Sequence, residues 1–346
     1  MNWNEVRLLC GIYGTSGREH AVRSYILQEL KTCGLPENAV SADRLGNVLV
    51  HKKGALSAKR RVMFSAHMDE VALMVTVLHA DGSIGFDAVG GVSAAAVIGR
   101  QVLVGEQRIP GVIGSKPVHL LSADERKKPA EMSGLYCDIG TASKEETEQL
   151  VQPGDIIYFP ENARDFGADS FASKAIDDRF GCAVLLSLIR SELPYDTDFA
   201  FVVQEEVGLR GAGVAANQLK PEIAVVLEAT TAADIPGCEG ADRVCLLGGG
   251  AVISLIDGRT VYDKELYDLA ADICVKNGIP HQTKTKIAGG NDAGAIQNAG
   301  EGARVMAVSV PCRYLHSPVS VIRKSDAEAC EKLAFALVSA LQEKDV

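Results

Sequence analysis

The chain has 346 residues and a mass of 36.7 kDa, a length that favours about two domains. Hydrophobic residues make up 47% and charged residues 23%, a composition that excludes a disordered or fibrous protein. The 45 acidic residues outnumber the 35 basic ones, and the net charge of -10 lacks the positive excess that binding to nucleic acid or an anionic membrane requires. We therefore expect no nucleic acid and no membrane among the partners of this chain.

The apolar segments and the cysteines indicate whether the chain spans a membrane, is exported or carries disulfides. No apolar run approaches the roughly 18 residues that span a bilayer. The start of the chain carries polar side chains and a glutamate where a signal peptide needs an unbroken apolar stretch, which predicts a cytoplasmic location. The nine cysteines are odd in number and include no C-x-x-C pair, which argues against a disulfide framework or a zinc ribbon.

Apolar runs rich in β-branched residues alternate with helical stretches over most of the chain, which predicts an α/β fold with a largely parallel sheet. Four of these runs are predicted as buried strands, at residues 61–66, 199–203, 223–227 and 304–310. Each run stops at or just before a polar cluster. Because ligands bind beyond the carboxyl ends of strands in open α/β sheets, chemistry is expected at these ends.

The pattern changes between about residues 71 and 166 to short β-like runs broken by Gly and Pro, and these suggest hairpins. We predict a small β-rich domain at 71–166 inserted into an α/β domain made of 1–70 plus 167–346, with a helix at about 178–191. Two independent domains in tandem are the alternative. An insertion requires that residues before 70 and after 170 share one site.

The segment His67-Met68-Asp69 lies at the end of the first predicted strand. Residues i and i+2 of an extended segment point to the same side, so Asp69 can approach the imidazole of His67. A histidine that binds a metal usually donates its other N–H to a carboxylate. The motif is short, and a structural or surface role for this pair is the alternative.

Two pairs of adjacent acids follow later in the chain. Asp177 and Asp178 precede a helix-like run, where both could simply favour a helix N-terminus. Glu205 and Glu206 end the buried run FAFVVQ, where two carboxylates are costly to desolvate unless they are paired or bind cations.

Glu228 and His316 complete a set of histidines and carboxylates at strand ends and loops. Two divalent ions about 3.5–4 Å apart need a bridging carboxylate, terminal ligands and a free carboxylate for the proton of the shared water. The prediction makes Asp177 the bridge, gives His67 and Glu228 to one metal and Glu206 and His316 to the other, and leaves Glu205 as general base. Ligands of these types suit zinc, cobalt or manganese.

The sequence resembles the tetrahedral aminopeptidases. These are co-catalytic metallo-aminopeptidases, and they include glutamyl aminopeptidases and proteins once labelled endoglucanase M. The matching stretches run in order over nearly the whole chain: GTSGRE at 14–19, SAHMDEVALMV at 65–75, GVIGSKPVHL at 111–120, DIG at 138–140, SKAIDDRFG at 173–181, QEEVGLRGA at 204–212, TTAADIPG at 230–237, GGNDAGAIQ at 289–297 and RYLHSP at 313–318.

The resemblance implies the same roles as the set above. The ligands of two divalent metal ions are then His67, Asp177, Glu206, Glu228 and His316. Glu205 is the catalytic base, and Asp69 supports His67 on the side away from the metal. It also implies that the inserted β domain serves dimerisation and that twelve subunits form a hollow tetrahedral particle. The fold class predicted on this basis is α/β, with a mixed, largely parallel sheet flanked by helices, of the phosphorylase/hydrolase-like kind.

Two positions depart from the pattern of the family. Glu228 stands where the family usually has Asp, and its carboxylate reaches one methylene further, so metal affinity or preference could differ. Asn291 stands in GGNDAG where Thr is more usual. The neighbouring Asp292 is either substrate-facing or an N-cap for a following helix.

The predicted function is a metal-dependent aminopeptidase that releases N-terminal residues from short peptides, with a water activated by two metals and Glu205 as general base. A deacylase of N-acyl amino acids fits the same carboxylates. A glycoside hydrolase would need two carboxylates but neither histidine nor metal, and the chain has one Trp for sugar stacking. An assembly protein that has lost its site is the last alternative.

Overall fold

The computed structural model of the protein describes residues 1–343. Its strands are β1 (Val40–Ala42), β2 (Val48–Lys52), β3 (Val62–His67), β4 (Ala72–Leu78), β5 (Ile84–Val89), β6 (Gln101–Val104), β7 (Ile109–Ser115), β8 (Leu135–Asp138), β9 (Ile156–Tyr158), β10 (Arg164–Phe166), β11 (Ser170–Ser173), β12 (Thr197–Val202), β13 (Ile223–Thr231), β14 (Ala251–Ile253), β15 (His281–Thr283), β16 (Arg304–Cys312) and β17 (Ser320–Arg323). Its α-helices are α1 (Trp3–Gly11), α2 (His20–Thr32), α3 (Ala94–Val97), α4 (Lys144–Glu148), α5 (Ile176–Arg190), α6 (Arg210–Leu219), α7 (Lys264–Asn277), α8 (Ala293–Gln297) and α9 (Lys324–Glu343).

The described chain divides into two compact units. The first unit contains Met1–Glu70, Ala163–Leu315 and the chain from Val319 on. The second unit contains Val71–Asn162 together with His316–Pro318. The first unit is therefore built from separate segments of the sequence.

An eight-stranded mixed sheet forms the centre of the first unit, in the order β1-β2-β12-β3-β13-β16-β14-β15. Strands β12, β3, β13 and β16 run parallel to their neighbours in this series, and β2 and β14 flank them in antiparallel pairing. The strands β10, β11 and β17 form a separate small sheet. The predicted α/β fold with a mixed sheet and flanking helices is confirmed, and its assignment as phosphorylase/hydrolase-like stays a prediction.

Apolar side chains cover both faces of the large sheet, as the unbroken apolar runs of its parallel strands require. Phe64 and Val225 belong to a core that includes residues of α1, α2, α5, α7 and α9. Met63 and Ala224 belong to a second core with residues of α6 and α8. Neighbouring residues of one strand thus point to opposite faces.

The registers of the parallel strands β3, β12 and β13 place His67 and Glu228 at the same height in the sheet. His67 is the partner of Val202 in the pairing of β3 with β12. The pairing of β3 with β13 runs as far as Ser65 and Val226. Glu228 lies two residues beyond Val226, as His67 lies two residues beyond Ser65, so both side chains emerge on the same face at the same height.

Strand β13 is longer than the predicted 223–227. Its last four residues remain paired with β16, from Glu228 opposite Ser309 to Thr231 opposite Cys312. Glu228 is therefore inside the strand and not at its end.

The second unit is a small closed barrel with strand order β4-β5-β8-β7-β6-β9. The pairs β4–β5, β6–β7 and β7–β8 are antiparallel, in keeping with the hairpins that the Gly and Pro positions suggest. Leu73, Ile84, Val104, Ile113 and Ile157 are among the buried residues that fill it. Closure leaves a barrel without free sheet edges.

Within residues 1–343, no helix is both long enough and apolar enough to cross a membrane. All nine cysteines are free thiols, and seven of them are buried. They behave as small core residues.

Candidate metal centre

His67 stands at the end of β3 with its side chain buried. Its Nε2 lies 3.1 Å from Asp177 Oδ1 and 3.4 Å from Glu228 Oε1. Its Nδ1 lies 3.1 Å from the carbonyl oxygen of Asp69 and 3.5 Å from Asp69 Oδ1. Burial alone would lower the pKa of His67, but the surrounding carboxylates, Glu228 foremost, raise it well above its usual value.

Asp69 is fully buried and holds the turn that follows β12. Its carboxylate accepts hydrogen bonds from Ser16 Oγ at 2.6 Å and from the backbone N–H groups of Glu205 and Glu206 at 3.0 and 3.2 Å. Burial raises the pKa of Asp69, but bonding and charge from His67, together with these donors, lower it overall. Asp69 thus stays ionised and fixes the two glutamates as well as standing beside the imidazole.

The turn after β12 has further supports from the N-terminal segment. Gln204 has a φ of 57°, in the left-handed region that side chains rarely adopt. Its N–H donates to Glu19 Oε1 at 3.2 Å, and the N–H of Val203 donates to Asn47 Oδ1 at 3.0 Å. These bonds hold the backbone that carries Glu205 in one conformation.

Asp177 and Asp178 begin α5 with non-helical backbone angles, and the peptide bond between them is cis. Asp178 accepts hydrogen bonds from the N–H of His67 at 3.3 Å and of Gly181 at 2.9 Å. A Cβ at Gly181 would lie 2.3 Å from Asp178 Oδ2, so the close approach of this carboxylate depends on glycine.

Arg179 follows Asp178 in the sequence, and its described hydrogen bonds go to other parts of the fold. Arg179 is fully buried and donates to the carbonyl oxygens of Leu9, Ile12 and Met68 at 2.6 to 2.9 Å. Its guanidinium thus fastens α1 and the end of β3 to α5. Asp178 and Arg179 are thus adjacent in sequence but form hydrogen bonds with different parts of the fold.

Two sets of side chains in this cluster are close enough to share an ion, with ligand atoms within 4.8 Å of one another. One set is His67, Asp178 and Glu228, and the other is His67, Asp177 and Glu206. Bonds of about 2.0–2.2 Å in a tetrahedral site place ligand atoms roughly 3.3–3.6 Å apart. The distances of 3.1 and 3.4 Å from His67 Nε2 to Asp177 and Glu228 are near this separation.

The electrostatics of the cluster also favour bound cations. Glu228 Oε2 is buried and has no hydrogen-bond partner among the residues that the structure describes, an arrangement that is costly for a carboxylate. Burial, reinforced by Asp177, raises the pKa of Glu228 well above its usual value. Burial, reinforced by Asp292, Glu206 and Asp177, does the same to the pKa of Glu205. A divalent ion among these oxygens offsets their repulsion, so the residues present fit a metal site.

His316 belongs to the second unit, where it has a φ of 55° and its imidazole lies against Gly91. Its role as a metal ligand stays a prediction. The structure brings together the other predicted site residues: His67, Asp69, Asp177, Glu205, Glu206 and Glu228.

Sequence reasoning gave no role to Glu70 and Lys174. Lys174 Nζ lies 2.9 Å from both oxygens of Glu70, and both side chains are buried. Arg179 approaches the same carboxylate at 3.4 Å. The pair could have been found from the sequence because both charged residues stand in segments expected to be buried, and a lysine or a glutamate is rarely buried unless it is paired.

Asp292 precedes α8, but its side chain makes no capping hydrogen bond. It is 1% exposed, and neither carboxylate oxygen has a hydrogen-bond partner in the described part of the chain. Burial, reinforced by Asp69 and Asp177 and opposed by His67, raises the pKa of Asp292 to about 7. Asp292 therefore occupies the N-cap position of α8 without capping it through its side chain, and its charge interacts with the cluster around His67.

Comparison with known proteins assigns the chain to a family. A lysyl aminopeptidase from Pyrococcus furiosus is 31% identical over 355 residues, which cover 100% of this chain and 99% of the relative. A glutamyl aminopeptidase from Lactococcus lactis is 30% identical over 357 residues, covering 99% and 98%. The solved TET1 peptidase of Pyrococcus horikoshii is 34% identical, with a TM-score of 0.83 and coverage of 97% and 98%.

The match extends to the family as a whole. The profile of the M42 glutamyl aminopeptidases matches residues 46–333, a range that includes all six clustered residues of the first unit. The family predicted from the sequence motifs is confirmed. This chain belongs to the M42 glutamyl aminopeptidase family, whose members are peptidases that act on the N-terminal end of peptides.

Proposed function

We propose that this protein is a metal-dependent aminopeptidase that releases N-terminal residues from short peptides. Family membership supports the reaction class. The observation that carries the metal dependence is the buried group of carboxylates around His67, in which Glu228 Oε2 has no hydrogen-bond partner.

In this proposal two divalent ions would be held by His67, Asp177, Glu206, Glu228 and His316. Zinc, cobalt and manganese suit these nitrogen and oxygen donors. When bound, the ions supply Lewis acidity toward the peptide carbonyl oxygen and the attacking water. The Asp178–Glu228 grouping with His67 supports a role for Asp178 close to the same ions.

Glu205 is proposed as the general base. Its raised pKa suits a carboxyl group that takes a proton from water and gives it to the leaving amine. Asp69 positions it, because the Asp69 carboxylate accepts the N–H groups of both Glu205 and Glu206. The turn is thus preorganised before substrate binds.

Assembly and location are also part of the proposal. The Pyrococcus horikoshii relative can assemble into a tetrahedron or a large octahedral shell. We propose a homo-oligomer for this chain, with the barrel unit serving dimerisation and twelve subunits in the particle, in the cytoplasm. A lysyl and a glutamyl relative at similar identity leave the preferred side chain to experiment.

The test uses protein stripped with EDTA and then titrated with zinc, cobalt or manganese. Activity is measured on a panel of aminoacyl p-nitroanilides, with N-acetylated versions in parallel. The proposal expects cleavage of the free amines only, and only after metal is restored. Cleavage of the N-acetylated compounds instead would identify a deacylase, and cleavage that resists EDTA would contradict the metal dependence.

A further inference from the structure

Asp292 differs from the other buried aspartates of the first unit because no group within residues 1–343 forms a hydrogen bond with its side chain. Asp69, Asp178 and Asp326 are as deeply buried, and each accepts hydrogen bonds from backbone N–H groups. Asp257 accepts from Tyr262 and from backbone N–H groups. Both oxygens of Asp292 lack a hydrogen-bond partner among the described residues. A buried carboxylate in this condition is stabilised by protonation, by a cation or by a hydrogen-bond donor from outside the chain.

The position of Asp292 indicates where such a donor would come from. It lies directly before α8, which packs on the sheet face from which His67 and Glu228 emerge. The charges of His67, Asp69 and Asp177 act on Asp292, and the charge of Asp292 in turn acts on Glu205. The unpartnered carboxylate therefore borders the space in which the proposed general base and metal ligands meet.

The backbone around Asp292 is held by a chain of buried polar groups. Tyr262 Oη lies 2.5 Å from Asp257 Oδ2 and 3.2 Å from Asn291 Oδ1. Asn291 Oδ1 also accepts the N–H of Ala293 at 3.0 Å. The residues on either side of Asp292 are thus fixed while its own side chain is left available, as expected of a preorganised binding group.

We propose that Asp292 binds the α-ammonium group of the N-terminal residue of the substrate, given the aminopeptidase function proposed above. An α-ammonium carries a positive charge and three N–H donors, and its pKa of about 8 keeps it largely protonated near neutral pH. It satisfies both oxygens of Asp292 and neutralises the buried charge. An internal peptide nitrogen offers one neutral N–H at most, so Asp292 confines cleavage to the chain end by remaining unsatisfied when the amine is absent.

The test compares Asp292→Asn with the wild type, both loaded with the metal that supports activity. The Asn side chain keeps the volume but removes the charge. The measured quantity is competitive inhibition by a product amino acid and by its des-amino analogue, the same carboxylic acid with hydrogen in place of the amino group. In the wild type, the amino acid should bind about 100-fold more tightly than the analogue. In Asp292→Asn this preference should fall to within about threefold, with the analogue bound as before.

Asp198→Asn is the matched control, since Asp198 is a buried aspartate near the opposite end of β12 and pairs with His51. It should keep the preference of the wild type. Metal content is measured by elemental analysis and folding by circular dichroism for each variant. Asp292→Ser is a second test variant, because it removes the carboxylate without introducing an amide group.

An amine preference that survives in Asp292→Asn and Asp292→Ser would overturn the inference. Equal weakening of both inhibitors, or loss of metal, would also overturn it, by assigning Asp292 a structural or metal-supporting role. These outcomes are separable from failure of the proposed function, which appears as a wild-type protein without metal-restored cleavage.

Discussion

Glu205 and Glu206 share one backbone anchor, since both N–H groups donate to Asp69, yet the proposal assigns them different tasks. Substitution separates these tasks. Glu205→Gln keeps the size of the side chain but cannot accept a proton, so we expect kcat to fall about 100-fold to 10,000-fold while the bound metal is retained. The measurement is turnover of the best p-nitroanilide together with elemental analysis of the same preparation.

Glu206→Gln is the matched comparison for this prediction. As a proposed ligand, Glu206 should lose metal affinity as well as activity. Loss of metal from Glu205→Gln to the same extent would show that Glu205 is a ligand, contrary to the assignment.

Glu228 contributes its carboxylate to the cluster from within strand β13. Its Oε1 is 3.4 Å from His67 Nε2 and 3.2 Å from the N–H of Ala229. Glu228→Asp withdraws the carboxylate by one methylene in surroundings that are packed for glutamate. We expect half-maximal reactivation of the stripped enzyme to need about 10-fold more metal, with kcat within a few-fold once metal is saturating.

The measurement for Glu228→Asp is a metal titration of activity. Glu222→Asp, the same change just before β13, should leave the titration unchanged. An unaltered titration in Glu228→Asp would show that the carboxylate does not contact the metal.

That these residues cluster could be predicted from the sequence because each stands near the carboxyl end of an apolar run or at the start of a helix. The hydrogen-bond partners of these residues could not be predicted from the sequence. Asp69 was expected to serve His67, but its carboxylate accepts three hydrogen bonds from Ser16, Glu205 and Glu206. Such contacts depend on how loops from distant parts of the chain meet, and no local pattern encodes them.

At the scale of elements, Lys174 and Glu70 join the start of α5 to the end of β3. Replacing one partner leaves the other charge buried, so Lys174→Met and Glu70→Gln should each lower the free energy of unfolding by about 3–5 kcal/mol. The double variant should be less destabilised than the sum of the two changes, because each partner is then neutral. Chemical unfolding followed by fluorescence measures these differences.

Lys264 and Asp268 form the control pair, since both are exposed on α7. Removing either should change stability little. Strict additivity of Lys174→Met and Glu70→Gln would contradict the interaction.

The N-terminus of α7 provides a pH-dependent prediction away from the metal centre. Asp263 caps this helix and accepts hydrogen bonds from Arg304, which hold the pKa of Asp263 below its usual value. A lowered folded pKa adds stability above pH 3.8, and this stability is lost as the pH falls through the folded pKa. Asp263→Asn should therefore cost about 1 kcal/mol at neutral pH, and the cost should disappear in acid.

Unfolding of the wild type and Asp263→Asn between pH 7 and the lowest pH at which both remain folded measures this difference. Arg304→Lys should keep most of the pH dependence, because it retains a positive charge. A difference between wild type and Asp263→Asn that is constant with pH would show that the carboxylate charge is irrelevant.

The sequence predicted where the parallel strands lie better than where they end. The run at 304–310 and the strand β16 differ by only two residues, since an apolar run marks a buried strand well. Strand β13 continues four residues past its apolar run, because pairing with β16 and not hydrophobicity decides its end. The irregular start of α5 at Asp177 and Asp178 has no signature in helix propensity.

At the scale of the whole molecule, assembly can be measured directly. Twelve copies of a 36.7 kDa chain give a particle of about 440 kDa. Sedimentation velocity of the full-length protein should show this species, and dilution should yield dimers before monomers if the barrel unit serves dimerisation. A single monomeric species at all concentrations would contradict the proposed assembly.

The composition and the change in pattern near residue 71 were sufficient to predict an α/β protein with a β-rich segment. The closed barrel was not predictable, because strand order depends on pairings between distant segments such as β4 with β9. Three residues, His316–Pro318, belong with the barrel segment although the sequence places them far beyond it.

The neighbours β3 and β12 are separated in the sequence by the whole barrel segment. During synthesis, β3 must therefore wait for its partner strands until the barrel segment, α5 and β12 have left the ribosome. A nascent chain that ends within the barrel carries His67 but none of the acids at positions 177, 205, 206 and 228. The proposed metal centre is thus incomplete in every fragment that stops short of β13, so we expect translation that aborts early to release no active protease.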